Sequence, residues 1–379
     1  MSERAGRYIK QITGYRAFVP QPLPPSDLDI SGAVGLKTSR ADLALGRLDG
    51  AIQTLPNPKL FTSMYVRREA VLSSQIEGTQ ASLDDLVAAE AKVIQERKAG
   101  DVSEVSNYVA ALNLGLERLK ELPMSSRLMR EIHARLMDGT RGSHATPGQF
   151  RTSQNWIGHQ NATLSDALFV PPPPDMVGDQ IGALETFLHS ESDLPLLVRI
   201  ALAHAQFETI HPFVDGNGRL GRLLITFLLC EHGVLSKPVL YVSLALKKRR
   251  REYYERLQAV RDLGAWEEWL VFFLECVAEA AEDAARTVHK ILILREQHMR
   301  LIIEEMGSRA AKALKLLEGL YDSPFLDVGS ASRNLGVSFV NANNIVSELE
   351  RLGVLLEVTN QKRNRVYMYD SYLALFRDL

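Results

Sequence analysis

The sequence predicts a mainly α-helical protein that ends in a small, separate unit. Three observations carry that expectation. From Phe61 to Arg295 apolar residues recur at helical spacing, as in MYVRREAVLSSQIE and LLVRIALAHAQF. Strand-like texture is confined to one stretch inside that span and to a tail near the C-terminus. A break at Met306–Ser308 sets the long helical region apart from the C-terminal residues.

Composition fits an ordinary globular chain: 379 residues, 46% hydrophobic, 24% charged, net charge −2. That balance argues against a nucleic-acid or membrane footprint over the whole molecule, because such binders carry a basic excess. The two cysteines, Cys230 and Cys276, lie in apolar runs and read as small buried hydrophobes in a reducing compartment. MSERAGRYIK lacks the apolar stretch of a signal peptide, and the run at 223–230 is too short to cross a bilayer. The expected location is the cytoplasm, without a membrane partner.

Taken in order, residues 1–60 mix Pro, Gly and short apolar pieces (FVPQPLPPSDLDI), which predicts an extended arm and then a short helix. The helix through MYVRREAVLSSQIE stops at Gly78. Ser82 with Asp85 reads as a capping box opening the next helix, ASLDDLVAAEAKV. Helical patterns continue at 104–120 and 125–138. GQFRTSQNWIGHQNATLSDALFVPPPP then reads as a hairpin with a long loop, closed by prolines 171–174 acting as a stiff connector. Helices resume at 176–190, 195–209, 219–232, 250–261 and 266–295. Past the break come AAKALKLLEGLY, a short helix around ASRNLG, FVNANNIVSELERLG and the alternating VLLEVTNQKRNRVYMY. Three helices and a hairpin in that order predict a winged helix-turn-helix over 307–379.

The chemistry concentrates in HPFVDGNGRLGR, residues 211–222. Gly216 and Gly218 let the backbone take positive φ and come close to a ligand. An apolar helix starts just after them, so its unsatisfied N–H groups and positive dipole end face the loop. That is an anion site, suited to a polyphosphate. Arg219 and Arg222, three apart, share a helix face and can clamp successive phosphates. Asp215 is placed to hold a divalent cation, since Mg²⁺ commonly combines one carboxylate with substrate phosphates. His211, neutral near pH 7, can take a proton from an attacking hydroxyl. Together these are the parts of phosphoryl or nucleotidyl transfer. His133 and His204 read as structural. GNGRLG also satisfies G-x-G-x-x-G, but no strand precedes it and no acidic residue follows near position 241, so a Rossmann reading fails.

Residues 211–222 match the Fic signature H-P-F-x-[D/E]-G-N-G-R-x-x-R at every specified position, and the sequence resembles that family over most of 60–290. PGQFR at 147–151, the segment ending in PPPP, RREYYERL and WEEWLVFFLE are also similar to family patterns. The resemblance implies a Fic-type helical core with a β-hairpin flap, transferring AMP from ATP to a Ser, Thr or Tyr hydroxyl of a target protein. His211 would be the base and Asp215 would hold Mg²⁺ or Mn²⁺. Gly216, Asn217 and Gly218 would cradle phosphates, with Arg219 and Arg222 on the β and γ groups. Phe213 and Gly221 fall in the same nucleotide-binding set. Trp156, Ile157 and Gly158 would form the flap that aligns the target's backbone. Tyr253 and Tyr254 either lie near the adenosine or pack a helix face.

SSQIEG at 73–78 resembles the inhibitory motif [S/T]-x-x-x-[E/Q]-G of one Fic class. It implies that Glu77 pairs with Arg222 where the γ-phosphate belongs, with Ser73 steadying the contact and Gly78 ending the helix. The same carboxylate could instead orient water for removal of AMP. The expected organisation is an arm and inhibitory helix over 1–100, a catalytic core over 101–295 and the winged-helix unit over 307–379. Across 307–379 nine Lys/Arg face eight Asp/Glu, so DNA is a possible partner but target docking or dimer packing is favoured. The readings kept beside adenylylation are a de-AMPylating hydrolase and a DNA-binding regulator with a nucleotide-sensing site.

Overall fold

The computed structural model describes residues 4–12, 14–55, 58–90, 99–140, 146–158 and 163–377. The N-terminal region differs from the expected extended arm. β1 (Gly6–Lys10) and β2 (Arg16–Pro20) pair antiparallel, Gly6 opposite Pro20, and α1 (Gly32–Gln53) is a long helix rather than a short one. The reason for α1 lies in its spacing. Val34, Thr38, Ala41, Leu45, Leu48 and Ile52 alternate three and four apart and are all buried.

α2 (Pro58–Ile76) ends as expected at Gly78, whose φ of +101° no helix continues through. α3 (Leu83–Glu90) opens on the anticipated capping box: the Ser82 amide donates to Asp85 and the Asp85 amide to the Ser82 hydroxyl. α4 (Ala99–Arg118) and α5 (Ser126–Leu136) come next. The expected hairpin is reduced among the described residues to one antiparallel bridge, Ile157 with Phe169; its turn at 159–162 lies outside them. Phe169 packs with Ala5 and Phe18, and the Phe18 amide donates to Val170 O, so β1–β2 props this segment from behind.

α6 (Val177–His189), α7 (Leu196–Ile210) and α8 (Asn217–Glu231) follow. α7 and α8 are buried nearly all round, which explains their almost unbroken apolar sequence. α9 (Ser243–Lys248) and α10 (Arg250–Leu263) lead into α11 (Trp266–Met306), which does not stop near 295 but runs to the break. α1 packs along the first half of α11, with Lys37 on Glu275 and Arg40 on Glu282. α11 ends at Gly307, φ +50°.

Beyond it lie α12 (Ala310–Leu320), β3 (Phe325–Asp327), α13 (Val328–Leu335), α14 (Phe339–Arg351), β4 (Leu356–Glu357) and β5 (Val366–Met368). The three strands form one antiparallel sheet in the order β3-β5-β4. β3 and the final helix, α15 (Asp370–Arg377), are additions to the expected pattern. One continuous set of buried side chains runs from Val34 to Phe376 and joins this unit to the rest.

Candidate active site

The loop between α7 and α8 is built almost entirely from hydrogen bonds to its backbone. His211 caps α7 in the left-handed region, φ 50° and ψ 60°, which few non-glycine residues adopt. Arg151 holds it there. Its Nε donates to His211 O at 2.9 Å, Nη2 donates to Pro172 O and Ile210 O, and its amide donates to Pro212 O. Asn155 Nδ2 donates to Phe213 O at 2.9 Å. Asn217 closes the turn from the other side: its Oδ1 accepts from the Phe213 amide and its Nδ2 donates to Phe213 O.

Beneath the loop, His133 stacks on Phe213 with ring centroids 3.7 Å apart. The Gly148 amide donates to His133 Nδ1, so Nε2 carries the proton and donates to Asp215 O at 2.9 Å. Burial pulls this imidazole down to about 4, keeping it neutral. His204 is equally internal, bonded to Gly221 O and the Tyr253 hydroxyl. Both behave as the structural histidines expected.

His211 is different. Its buried Nδ1 makes no hydrogen bond of good geometry among the described residues. Burial, then the charges of Arg261 and Arg151, pull the ring down to about 4 against weaker pulls from the Glu208 backbone carbonyl and the Glu77 carboxylate. A neutral imidazole at physiological pH is what a general base requires.

Gly216 caps α8 with φ +77°, and the first turn of α8 presents its N–H groups there. Arg219 is buried, with Asp215 Oδ1 at 3.7 Å and Glu104 Oε2 at 3.8 Å, and its Nε and Nη1 lack hydrogen bonds among the described residues. Orphaned guanidinium donors beside a helix N-terminus suit a phosphate. One turn on, Arg222 is engaged through Nε and Nη2. Its Nε donates to Ser73 Oγ at 2.8 Å, and Nη2 donates to Ser73 O at 3.0 Å and Glu77 Oε1 at 2.7 Å. The Arg222 side chain is 1% exposed and that of Glu77 37%. Burial alone would raise the Glu77 carboxyl, but the charge and hydrogen bond of Arg222, helped by Arg219 and His211, bring it below the ordinary range. The same carboxylate holds Arg222 firmly charged against its own burial.

Gly218 makes this contact possible: a Cβ there would lie 2.2 Å from Glu77 Oε1. Ser73, Glu77, Gly218 and Arg222 therefore come together as the sequence suggested. Asn217 and Phe213 build the loop instead of lining it, since both side chains are buried in bonds or stacking beneath it. Gly221 faces inward too, where a Cβ would strike Glu208 Oε1 at 2.4 Å. The two tyrosines divide. Tyr253 is internal, while Tyr254 is 39% exposed with the Arg250 guanidinium 5.5 Å from its ring centroid. On the flap segment Trp156 is 41% exposed.

Arg151 and Asn155, which hold the loop, were not among the residues singled out from the sequence. Only PGQFR hinted at the first, and nothing within that block marks which residue does the holding.

The group of Asp215, Arg219 and the α8 N-terminus fits a nucleotide phosphate with a divalent cation. Asp215 keeps a side chain 53% exposed, one oxygen accepting from the Gly216 amide. Among the described residues no cluster of three His, Cys, Asp or Glu gathers to bind a metal unaided. A cation here would complete its shell with phosphate oxygens and water, as Mg²⁺ commonly does.

Fold and site together define a class: helical proteins that present a histidine and a helix N-terminus from one loop and set their own carboxylate on that helix's arginine. Residues 36–117 match the model of the Fic/DOC family N-terminal domain, and residues 123–229 that of the Fic/DOC family. The chain belongs to the Fic/DOC family. It is 30% identical over 182 residues to a probable protein adenylyltransferase of Aquifex aeolicus, covering 46% of this chain and 51% of that one. It is 26% identical over 268 residues to the protein adenylyltransferase Fic of Drosophila willistoni, covering 67% and 48%. The chain thus spans about half the length of these curated relatives. Among solved structures, a Fic family protein from Desulfovibrio desulfuricans shares the fold, with a TM-score of 0.60 at 20% identity, covering 92% of this chain and 98% of that one.

Proposed function

We propose that the chain is a self-restrained protein adenylyltransferase that moves AMP from ATP to a Ser, Thr or Tyr hydroxyl of a target protein. The Glu77–Arg222 contact supports this reading most directly. It seats a carboxylate on the arginine and glycine of a helix N-terminus, where a terminal phosphate would otherwise sit.

In this reading His211 Nε2 takes the proton of the target hydroxyl. The hydroxyl oxygen forms a bond to the α-phosphorus, and the bond from that phosphorus to the β-bridging oxygen breaks, releasing pyrophosphate. Arg219 and, once Glu77 has moved, Arg222 receive the charge of the leaving group, assisted by the α8 N–H groups around Gly216 and Gly218. Asp215 would hold Mg²⁺ or Mn²⁺, which neutralises phosphate charge. Tyr254 borders the nucleoside end, and the exposed edge at Trp156–Gly158 takes the target backbone as an added strand. Glu77, close enough to His211 to influence it, also suits the orienting of water, which keeps removal of AMP as a second reading.

α-Labelled ATP with Mg²⁺ tests the assignment on wild type, Glu77→Gly and Glu77→Gly/His211→Ala, following label into the protein and a cell lysate. Strong label in Glu77→Gly, weak label in wild type and none in the double variant support inhibited transfer. No gain in Glu77→Gly removes the inhibitory role of Glu77.

We read residues 307–379 as a winged helix that docks protein. Phe339 and Val340 at the start of α14 are 60% and 67% exposed, and Glu348 is tied to Arg309 and Arg351. An apolar, charge-balanced face neutralises few phosphates. Strong, salt-sensitive duplex binding that is lost on neutralising Lys362, Arg363 and Arg365 would reverse this choice. The cytoplasm remains the compartment we favour, consistent with two free thiols.

A further inference from the structure

The bonds that hold Glu77 on Arg222 come from the last turn of α2, yet the helix is also gripped by the far end of the chain. Tyr65, Glu69 and Ser73 stand four apart on one stripe of α2. Ser73 takes Arg222, and Glu69 accepts from the Ser243 hydroxyl and amide at the start of α9. Tyr65 is buried and stacks on Tyr241 at 5.6 Å. Its hydroxyl donates to Ala284 O of α11, and its ring meets Phe376 of α15 edge-on at 5.4 Å and 84°.

From Phe376 an aromatic line continues through Tyr372 at 5.3 Å to Tyr321 and Tyr369 at 5.0 and 5.5 Å. It ends where the Tyr369 hydroxyl bonds His298 Nδ1 on α11. At the surface Arg377 binds Asp84 of α3 at 2.9 Å and Asp370 at 2.5 Å. The C-terminal helix therefore bridges the terminal unit and the two helices on either side of Glu77.

We propose that α15 is a positioning element for Glu77: by seating Phe376 on Tyr65 and Arg377 on Asp84, it holds α2 in the register from which the carboxylate reaches Arg222. A protein that binds the terminal unit and lifts α15 would loosen the inhibitory contact from a distance. The effect on catalysis rests on the adenylyl-transfer reading above; the effect on α2 does not.

The test uses the full chain with Phe376→Ala, Phe376→Leu and Arg377→Glu, each alone and with Glu77→Gly. Amide exchange over 69–78 is the first readout, and it should quicken by roughly tenfold in Phe376→Ala and Arg377→Glu while Phe376→Leu stays near wild type. AMP labelling is the second. It should rise in the same two variants while Glu77 is present, and change by less than about twofold once Glu77→Gly is in place. Unchanged exchange over 69–78 in folded Phe376→Ala and Arg377→Glu overturns the proposal, as does an equal rise in labelling with and without Glu77. If Phe376→Ala does not fold, Arg377→Glu, which sets a like charge against Asp84 and Asp370 at the surface, decides alone. If Glu77→Gly takes no label, the transferase reading falls and the exchange data still decide the role of α15.

Discussion

Gly218 and Arg222 lie one turn apart on α8, and Glu77 touches both. Because Arg222 holds the Glu77 carboxyl below the ordinary range, the contact is complete at neutral pH and weakens only as acid protonates the carboxylate. The Glu77→Gly variant isolates His211. With the ring pulled down to about 4, its rate of label incorporation should stay level from pH 7 to about 5 and fall only on approach to 4. A loss centred near 6.5 in that pH series would mean an ordinary, solvated histidine. Glu208 offers a stability test of the opposite sign. Burial pushes its carboxyl up to about 7 from 4.5, and Oε1 lacks a partner among the described residues. The folded state thus binds the extra proton between those values, and wild type loses stability as pH rises through about 7. Glu208→Gln removes that loss. Its denaturant midpoint relative to wild type should climb between pH 5 and 8, by at most ~3 kcal/mol of stability.

At the scale of elements, what could be read from sequence was whatever is local. The Ser82–Asp85 box, the Gly78 stop and the 211–222 loop all depend on residues a few positions apart, and each was legible. Arg151 was not, because the carbonyls it holds belong to residues far along the chain and leave no side-chain signature. The β1–β2 hairpin escaped for a related reason. Its five-residue strands take their apolar partner, Phe169, from another segment. α15 is short and amphipathic, and its purpose shows only when Tyr65 is beside it. Of the site, the Glu77–Arg222 pair, Asp215 and Arg219 stand out in the sequence by motif, while of the residues that fold the loop Asn217 and Phe213 were assigned to binding, His133 was read as structural and Arg151 and Asn155 were missed. Gly115 is a further case, unremarkable in sequence yet sitting where α4 crosses α8. A Cβ there would lie 2.3 Å from the Phe227 ring. Gly115→Ala should therefore cost roughly 1–3 kcal/mol by overpacking, measured as a lowered urea midpoint with an unchanged slope.

Over the whole molecule, α11 is the common spine. Its 41 residues extend about 60 Å and carry buried side chains from Trp266 to Met306. With the core continuous from Val34 to Phe376, heat should unfold the chain in one cooperative step. Calorimetry checks this: two resolved transitions, or a van't Hoff enthalpy well below the calorimetric one, would mean that the terminal unit melts alone. The placement of Glu77 on the same polypeptide as Arg222 has a consequence of its own. A tethered blocker cannot be diluted, because its effective concentration is set by the reach of its helix and not by how many molecules are in solution. In the adenylyl-transfer reading proposed above, lowering the amount of protein would leave the restraint untouched. Free nucleotide would compete with the same fixed local concentration of carboxylate, and the threshold for activity would be a property of a single chain.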